Sequence, residues 1–269
     1  MAELSEKKIA VIGAGNMGSA LIRGLIKSVD ATQVTAVDID GELLARLNEE
    51  LGVNTTEDAT AAVAASDIVV IAIKPQHLSD VSGLREAMTP DHLVVSIAAG
   101  VSTHTLESVF GDVPVVRTMP NILAQIGASV AGLCAGSFAK DVHLSIASAI
   151  LGAVGETVVV AEEQMDAVTG LSGSGPAYVF VLIDALAEGG TRCGLSKATA
   201  MKLATQTVLG AAKMVAESDE HPRILKDKVT SPGGTTIAGL KALEDGGFRA
   251  ALMDAVEAAT NRSAELGNG

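Results

Sequence analysis

The chain has 269 residues, 48% of them hydrophobic and 2% aromatic, with a formal net charge of −13 at pH 7. That length and apolar content supply a core for two modest domains or one large one and exclude disorder as the main state. The acidic balance offers no basic stripe to nucleic acid and no attraction to an anionic membrane surface; it reads as ordinary solubility.

Cys134 and Cys193 stand far apart among small apolar residues. This excludes a metal knuckle or a disulfide framework and suits a reducing cytosol, so a cytoplasmic protein without a metal is expected. The N-terminal stretch 1–8 is polar and lacks the apolar core of a signal peptide. No apolar run is expected to approach the length of a membrane span; the longest candidate, 178–187, contains Asp184 and stops at Glu188.

In chain order, the apolar run 9–12 breaks into Gly13, Ala14, Gly15, Asn16, Met17 and Gly18, then resumes with helical spacing at Ala20, Leu21, Ile22 and Leu25. A buried strand, a tight turn and a helix are expected. Gly13 permits the turn, Gly15 lets the backbone approach a pyrophosphate, and Gly18 lets the helix lie close on the strand. Free N–H groups and the positive helix end then face an anion. A second strand, 33–37, ends at Asp38, about 20 residues past Gly18, where a carboxylate binds ribose hydroxyls. An ordinary glycine turn is the alternative, but this context favours a dinucleotide cradle.

A helix is expected over 42–51, then buried strands over 68–73, 93–97 and 113–116, the first of these closed by Lys74-Pro75. Alternating strands and helices indicate an α/β Rossmann fold, a parallel doubly wound sheet with its ligand crevice at the carboxyl ends of the strands. The loops to read are therefore 13–18, 74–76, 98–100 and 119–121. Segments 128–136 and 157–161 are candidate edge strands, with a helix over 140–151 between them. Beyond Glu162 the pattern turns helical, which puts a domain boundary near Ala161: a dinucleotide-binding domain over 1–161 and an all-α domain over 162–269.

The second part opens with Leu171, Ser172, Gly173, Ser174, Gly175 and Pro176, the proline suiting a first helical position. The helix that follows, 177–183, is apolar all round and must be buried on every side. Two chains bury such a helix more easily than one small bundle, so a homodimer built on this domain is expected; a central helix of a monomeric bundle is the alternative. Ser196 caps a helix over 197–217, in which Met201, Ala204, Val208 and Ala211 fall at core spacing. His221-Pro222 breaks the chain before Thr230, Ser231, Gly233, Gly234, Thr235 and Thr236; helices over 237–245 and 248–266 follow, separated by Gly246-Gly247.

The 230–236 loop combines glycines, hydroxyls and a helix start, which suits a carboxylate or a phosphate. The alternative is that Ser231 and Pro232 merely cap the helix. No Ser/His/Asp order, metal-ligand cluster or Walker lysine is present, and His77, His92, His104 and His143 read as structural or solvated. A carbonyl reductase wants a proton donor at the oxygen. Its absence suggests a substrate that needs none, such as an imine already protonated on nitrogen.

Taken together, residues 13–18, Ala72-Ile73-Lys74-Pro75, Ser96-Ile97-Ala98-Ala99-Gly100, Met119-Pro120-Asn121, 171–178 and 231–236, with Gly246-Gly247-Phe248-Arg249 behind them, closely resemble pyrroline-5-carboxylate reductase. The resemblance runs in order over nearly the whole chain. It implies hydride transfer from NADH or NADPH to the C=N carbon of 1-pyrroline-5-carboxylate, giving L-proline. It also implies a Rossmann domain followed by helices that interlock in a homodimer, with a higher oligomer of dimers allowed. By position, Ala98 and Ala99 border the nicotinamide, Lys74 with Ala72 and Ile73 reaches the cofactor, and the active site lies between the nicotinamide and the glycine loop. Amides near Gly234, Thr235 and Thr236 hold the substrate carboxylate, with Ser231, Gly233 and Asn121 nearby. The Thr236 hydroxyl bonds the ring nitrogen, and Glu220 approaches it from the partner chain.

Two departures stand out. The family usually continues Thr-Pro after Met119-Pro120-Asn121, where this chain has Ile122-Leu123. Many members carry an Asn-Arg or Ser-Arg pair after the second strand, suited to a 2′-phosphate. Here Asp38-Ile39-Asp40 stands there, with no arginine before Arg46, so NADH preference or weak discrimination is expected. Competing readings are a reductase of another imine, a 3-hydroxy-acid reductase using Lys197, Lys202 or Lys213, and a nucleotide sensor without catalysis.

Overall fold

The computed structural model describes Leu4 and residues 6–267. The polar start of the chain read above lies partly outside the described residues. The chain forms two compact units, one comprising the residues up to Ser174 together with those from Ala258 onward, the other Gly175–Glu257.

In the first unit, β1 (Ile9–Ile12), β2 (Val34–Val37), β3 (Asn54–Thr56), β4 (Ile68–Ile71), β5 (Leu93–Ser96), β6 (Val115–Met119), β7 (Ser129–Ala135) and β8 (Gly155–Val159) form one sheet in the order β3-β2-β1-β4-β5-β6-β7-β8. Ile12 is in register with Val37 of β2 on one side and Ile71 of β4 on the other. The carboxyl ends of these strands therefore emerge side by side, where the strand order reverses and a crevice opens.

Both faces are covered, which is why β1 and β4 are apolar along their whole length. One face packs Ile9 and Val11 against Leu21, Ile22 and Leu25 of α1 (Asn16–Leu25), Leu44 and Leu47 of α2 (Gly41–Leu51), and Ile150 of α5 (Asp141–Gly152). The other packs Ala10 and Ile12 with Val63 of α3 (Ala59–Ala64) and with Leu106 and Phe110 of α4 (Thr103–Phe110).

Several features differ from the sequence reading, the last strand among them, which runs over Gly155–Val159 where 157–161 was expected. β6 pairs with β7 antiparallel, because the chain reverses through a short 3₁₀ turn, Ile122–Ile126, closed by Gly127 at φ 72°; so short a connection leaves no room for a parallel crossover. β6 starts beyond Pro114, which has no N–H to give a ladder. β3 and α3 were not anticipated, since Asn54-Thr55-Thr56 is polar and α3 is short. The segment after Ala161 includes α6 (Met165–Val168), whose Val168 lies so close to Gly132 of β7 that a methyl on that glycine would sit 2.8 Å from it.

The second unit contains α7 (Gly175–Arg192), α8 (Lys197–Glu217), α9 (Pro222–Lys228), α10 (Thr235–Asp245) and most of α11 (Phe248–Gly267). Its small core joins Ile183 and Ala187 of α7 to Ala200 and Ala204 of α8. Of the four α8 residues read as core, Ala204 is buried and Val208 half-buried, while Met201 and Ala211 are exposed. Phe180 and Val181 of α7 are 56% and 70% exposed. One chain does not supply the burial that this apolar helix demands. Among the described residues one helical stretch, Glu162–Arg192, is long and apolar enough to cross a membrane by length and composition, with mean hydropathy 1.3. It is longer than the apolar run isolated from sequence because the fold joins shorter helical turns across glycines and serines.

A Cβ on Gly18 would lie 2.0 Å from the Gly13 carbonyl oxygen, backbone that cannot step aside. Gly18→Ala should therefore cost about 2 kcal/mol or more of stability, seen as a lower unfolding midpoint in denaturant.

Candidate active site

The glycine turn is stitched into both neighbouring strands. Gly13 N–H donates to Val37 O at 2.8 Å, and Ala72 N–H donates to Ile12 O at 2.8 Å. Gly13 sits at φ 95°, and a Cβ there would meet Ala72 O at 2.7 Å. Helix α1 follows with Gly15 as its N-cap and no side-chain cap. The amides of Asn16, Met17 and Gly18 thus start the helix without a side-chain acceptor, and nothing lies within 4 Å of where a Gly15 Cβ would be. An open approach to uncapped helix amides is what a phosphate needs.

Asp38 belongs to this edge. Its Oδ2 accepts from Ala14 N–H at 2.7 Å and its Oδ1 from Asp40 N–H at 3.1 Å. Asp40 in turn caps α2, accepting from Leu43 N–H at 3.0 Å, and Ile39 between the two is 94% exposed. Ala72 and Ile73 are half-buried beside the turn, while Lys74 is exposed and enters no ion pair among the described residues. Ala98 is buried, Ala99 exposed, and Gly100 turns at φ 74°.

Asn121 is buried with both side-chain polar atoms engaged: Oδ1 accepts from Leu123 N–H and Nδ2 donates to Ser172 O, each at 3.0 Å. It fastens the loop holding Ile122-Leu123. His92 is likewise satisfied, its Nε2 3.1 Å from Val63 O. Burial, with Lys140 nearby, holds His143 below the usual histidine range. Burial, reinforced by Glu162, pushes the Cys134 thiol up to about 12, which makes it no nucleophile at neutral pH.

In the second unit, α10 begins with Gly234 as N-cap and no side-chain cap. Ser231 and Pro232 therefore do not cap the helix; Ser231 O instead accepts from Gly234 N–H at 3.1 Å, and Gly233 turns at φ 66°. The amides of Thr235 and Thr236 lead a helix start without a side-chain cap, with Thr236 half-buried and Thr235 exposed. Glu220, also half-buried, pairs with Lys228 of α9. Lys213 pairs with Glu217 at 3.6 Å on the α8 surface, and Lys197 and Lys202 are exposed. The structure thus brings the expected cofactor residues 13–18, 38 and 72–74 to one edge of the sheet, and gathers 231–236 at one helix start.

Sequence reasoning missed a polar clasp. Arg117 of β6 is only 8% exposed and donates to Glu162 Oε1 at 3.2 Å. Glu162 also accepts from Thr103 N–H at 2.7 Å and from the Thr103 hydroxyl, at the start of α4. The signal was legible: a lone arginine inside the apolar run of β6 requires a charged partner. The clasp secures the segment directly after Ala98, Ala99 and Gly100.

Residues 8–100 match the family model described as NADP oxidoreductase, coenzyme F420-dependent, and residues 162–266 the model described as pyrroline-5-carboxylate reductase dimerisation. A pyrroline-5-carboxylate reductase of Methanosarcina acetivorans is 47% identical over 268 residues, covering 98% of this chain and 99% of that protein. The chain belongs to the pyrroline-5-carboxylate reductase family. The solved pyrroline-5-carboxylate reductase of Coxiella burnetii is similar at TM-score 0.93 and 38% identity, covering 97% of this chain and 98% of that one. The Plasmodium falciparum pyrroline carboxylate reductase, solved with NADP bound, is similar at TM-score 0.86 and 29% identity, covering 98% and 99%.

Burial pushes the Glu162 carboxyl up, but the hydrogen bonds from Thr103 and the Arg117 guanidinium outweigh it and hold the group below the ordinary glutamate range. A depressed folded value means stability present above the unfolded value of about 4.3 and lost as pH falls through the folded one. Acid unfolding below about pH 4.3 should therefore be steeper for the wild type than for Glu162→Gln, which should also be less stable at pH 7.

Proposed function

We propose that the chain reduces 1-pyrroline-5-carboxylate to L-proline with NADH or NADPH. The reading is carried by the presence, on a chain of this family, of two helix starts left without side-chain caps, at α1 and at α10. Each suits one of the two anionic groups that the reaction must hold, a pyrophosphate and a carboxylate.

The residues present fit a dinucleotide: the space before Gly15 is open, and Asp38 is fastened at the same edge through Ala14. Amides of Gly15, Asn16 and Met17 hold the pyrophosphate, with Gly13, Ala14 and Gly18 shaping the turn. Asp38 takes the ribose hydroxyls, Ala72, Ile73 and Lys74 line the cofactor, and Ala98 with Ala99 borders the nicotinamide. Bound there, the reduced nicotinamide supplies a hydride.

Ser231, Gly233, Gly234 and Thr235 hold the substrate carboxylate, and the Thr236 hydroxyl accepts from the protonated ring nitrogen. Asn121 keeps its loop in place, and Glu220 adds negative charge near that nitrogen from the partner chain. A protonated imine is already electrophilic, so holding the two carbons close and correctly faced replaces a general acid. The domain of residues 162–269 forms the homodimer, the apolar surface of α7 being its seat, and dimers can assemble further. We place the protein in the cytoplasm, with no membrane or nucleic acid partner. The first domain, residues 1–161, carries the cofactor.

Cofactor oxidation with pyrroline-5-carboxylate should yield proline, with kcat/KM for NADH at least equal to that for NADPH. A much larger value with NADPH would end the Asp38 argument. Thr236→Val should lower kcat/KM about 10–100-fold, the loss of one hydrogen bond to a charged group, while Thr236→Ser retains most of it. Val181→Asp should shift the sedimentation coefficient from dimer to monomer.

A further inference from the structure

The glycine turn opens onto a cleft of about 440 Å³ whose walls are α1 and α2. Besides Gly15 and Asn16 it is lined by Arg23 of α1, Leu43 and Arg46 of α2, and Gln125. We propose that Arg46 is the cation that receives a 2′-phosphate on the adenosine ribose, so that NADPH is accepted although Asp38 faces that ribose. The inference rests on the reading that the glycine turn holds a dinucleotide, and it names the residue that sets cofactor choice.

Three observations carry it. First, the positions directly after β2, Asp38 and Ile39, offer no cation, and Arg46 is the first arginine beyond them. Arg46 lies about 8 Å along the axis from the start of α2 at 1.5 Å per residue. Helical side chains lean toward the N-terminus, so its guanidinium is carried back toward Asp40 and Asp38.

Second, the two arginines in the cleft are not equivalent. Arg23 donates to Glu50 Oε2 at 2.5 Å, so its charge is already met. Arg46 makes no ion pair among the described residues, although Glu42 and Glu50 stand one turn away on its own helix. It is the uncompensated positive charge of the cleft.

Third, Asp38 is less repulsive than a bare carboxylate. Both its oxygens accept backbone N–H bonds, from Ala14 and Asp40, which spread its negative charge into the turn. A guanidinium presents a planar fork that matches phosphate oxygens, and such charge-assisted pairs are among the stronger hydrogen bonds. Asp38 and Arg46 together give a site that takes a free 2′-hydroxyl on one group and a 2′-phosphate on the other.

The test is calorimetric titration of the full-length protein with NADH, NADPH and adenosine 2′,5′-bisphosphate, for the wild type, Arg46→Gln, Arg46→Lys and Arg23→Gln. Arg46→Gln should lower the ratio of NADPH to NADH affinity about tenfold and weaken the bisphosphate likewise, with Arg46→Lys intermediate and Arg23→Gln close to wild type. An unchanged ratio in Arg46→Gln, or a larger change in Arg23→Gln, overturns the proposal. Wild-type binding of NADH without any binding of the 2′-phosphate ligands also overturns it while leaving the dinucleotide reading intact. Binding of none of the three ends both.

Discussion

The seating of α1 on the turn after β1 is the constraint on which the rest of the structure depends. Gly18 lies against the Gly13 carbonyl, and Gly13 lies against Ala72, with no room for a methyl at either place. These approaches draw the ends of β1, β2 and β4 together and leave the first amides of α1 facing outward. The order of the sheet on either side, with β2 and β4 both in register with β1, follows from the same junction. The cradle and the centre of the core are thus one piece of packing, and a substitution in the turn acts on both.

Charge does a second kind of work. Asp38 is tied to the turn through Ala14 N–H, and Glu162 ties the start of α4 to Arg117 inside the sheet. In each case a carboxylate is held by donors from a different element, so that it stabilises geometry in addition to carrying charge. The Glu162 clasp bears on the loop of Ala98 and Ala99, and its backbone donor Thr103 is the first residue of α4. An ion pair with its arginine buried and its glutamate half-buried is a weak source of net stability, because desolvation offsets the attraction. Its worth here lies in fixing one position for the start of α4 against the sheet.

The second unit is built differently. Its core is a few alanines and one isoleucine, and much of its apolar surface stands in the open. Apolar surface on this scale is tolerated where a partner covers it. A helical unit with so small a core gains its order from association, which links the glycine loop before α10 to assembly of the dimer proposed above.

Local chemistry made much of this legible without a structure. The glycine spacing, the apolar strands, the acid after β2 and the all-apolar α7 each follow from short-range rules of backbone freedom and hydrophobic periodicity, and α8 begins and ends where its spacing predicted. What periodicity could not reach were β3, too polar and short to stand out, the antiparallel β7, set by a 3₁₀ turn, and the split role of Asn121. Tertiary structure alone decided that Ser231 and Pro232 leave α10 uncapped, that Glu162 answers Arg117 across the chain, and that Arg23 is neutralised while Arg46 is not. Those outcomes depend on which distant groups arrive within hydrogen-bonding distance. The sequence by itself determined the elements and the chemistry they can offer; three-dimensional packing decided which polar groups are consumed in holding the fold and which stay free to bind.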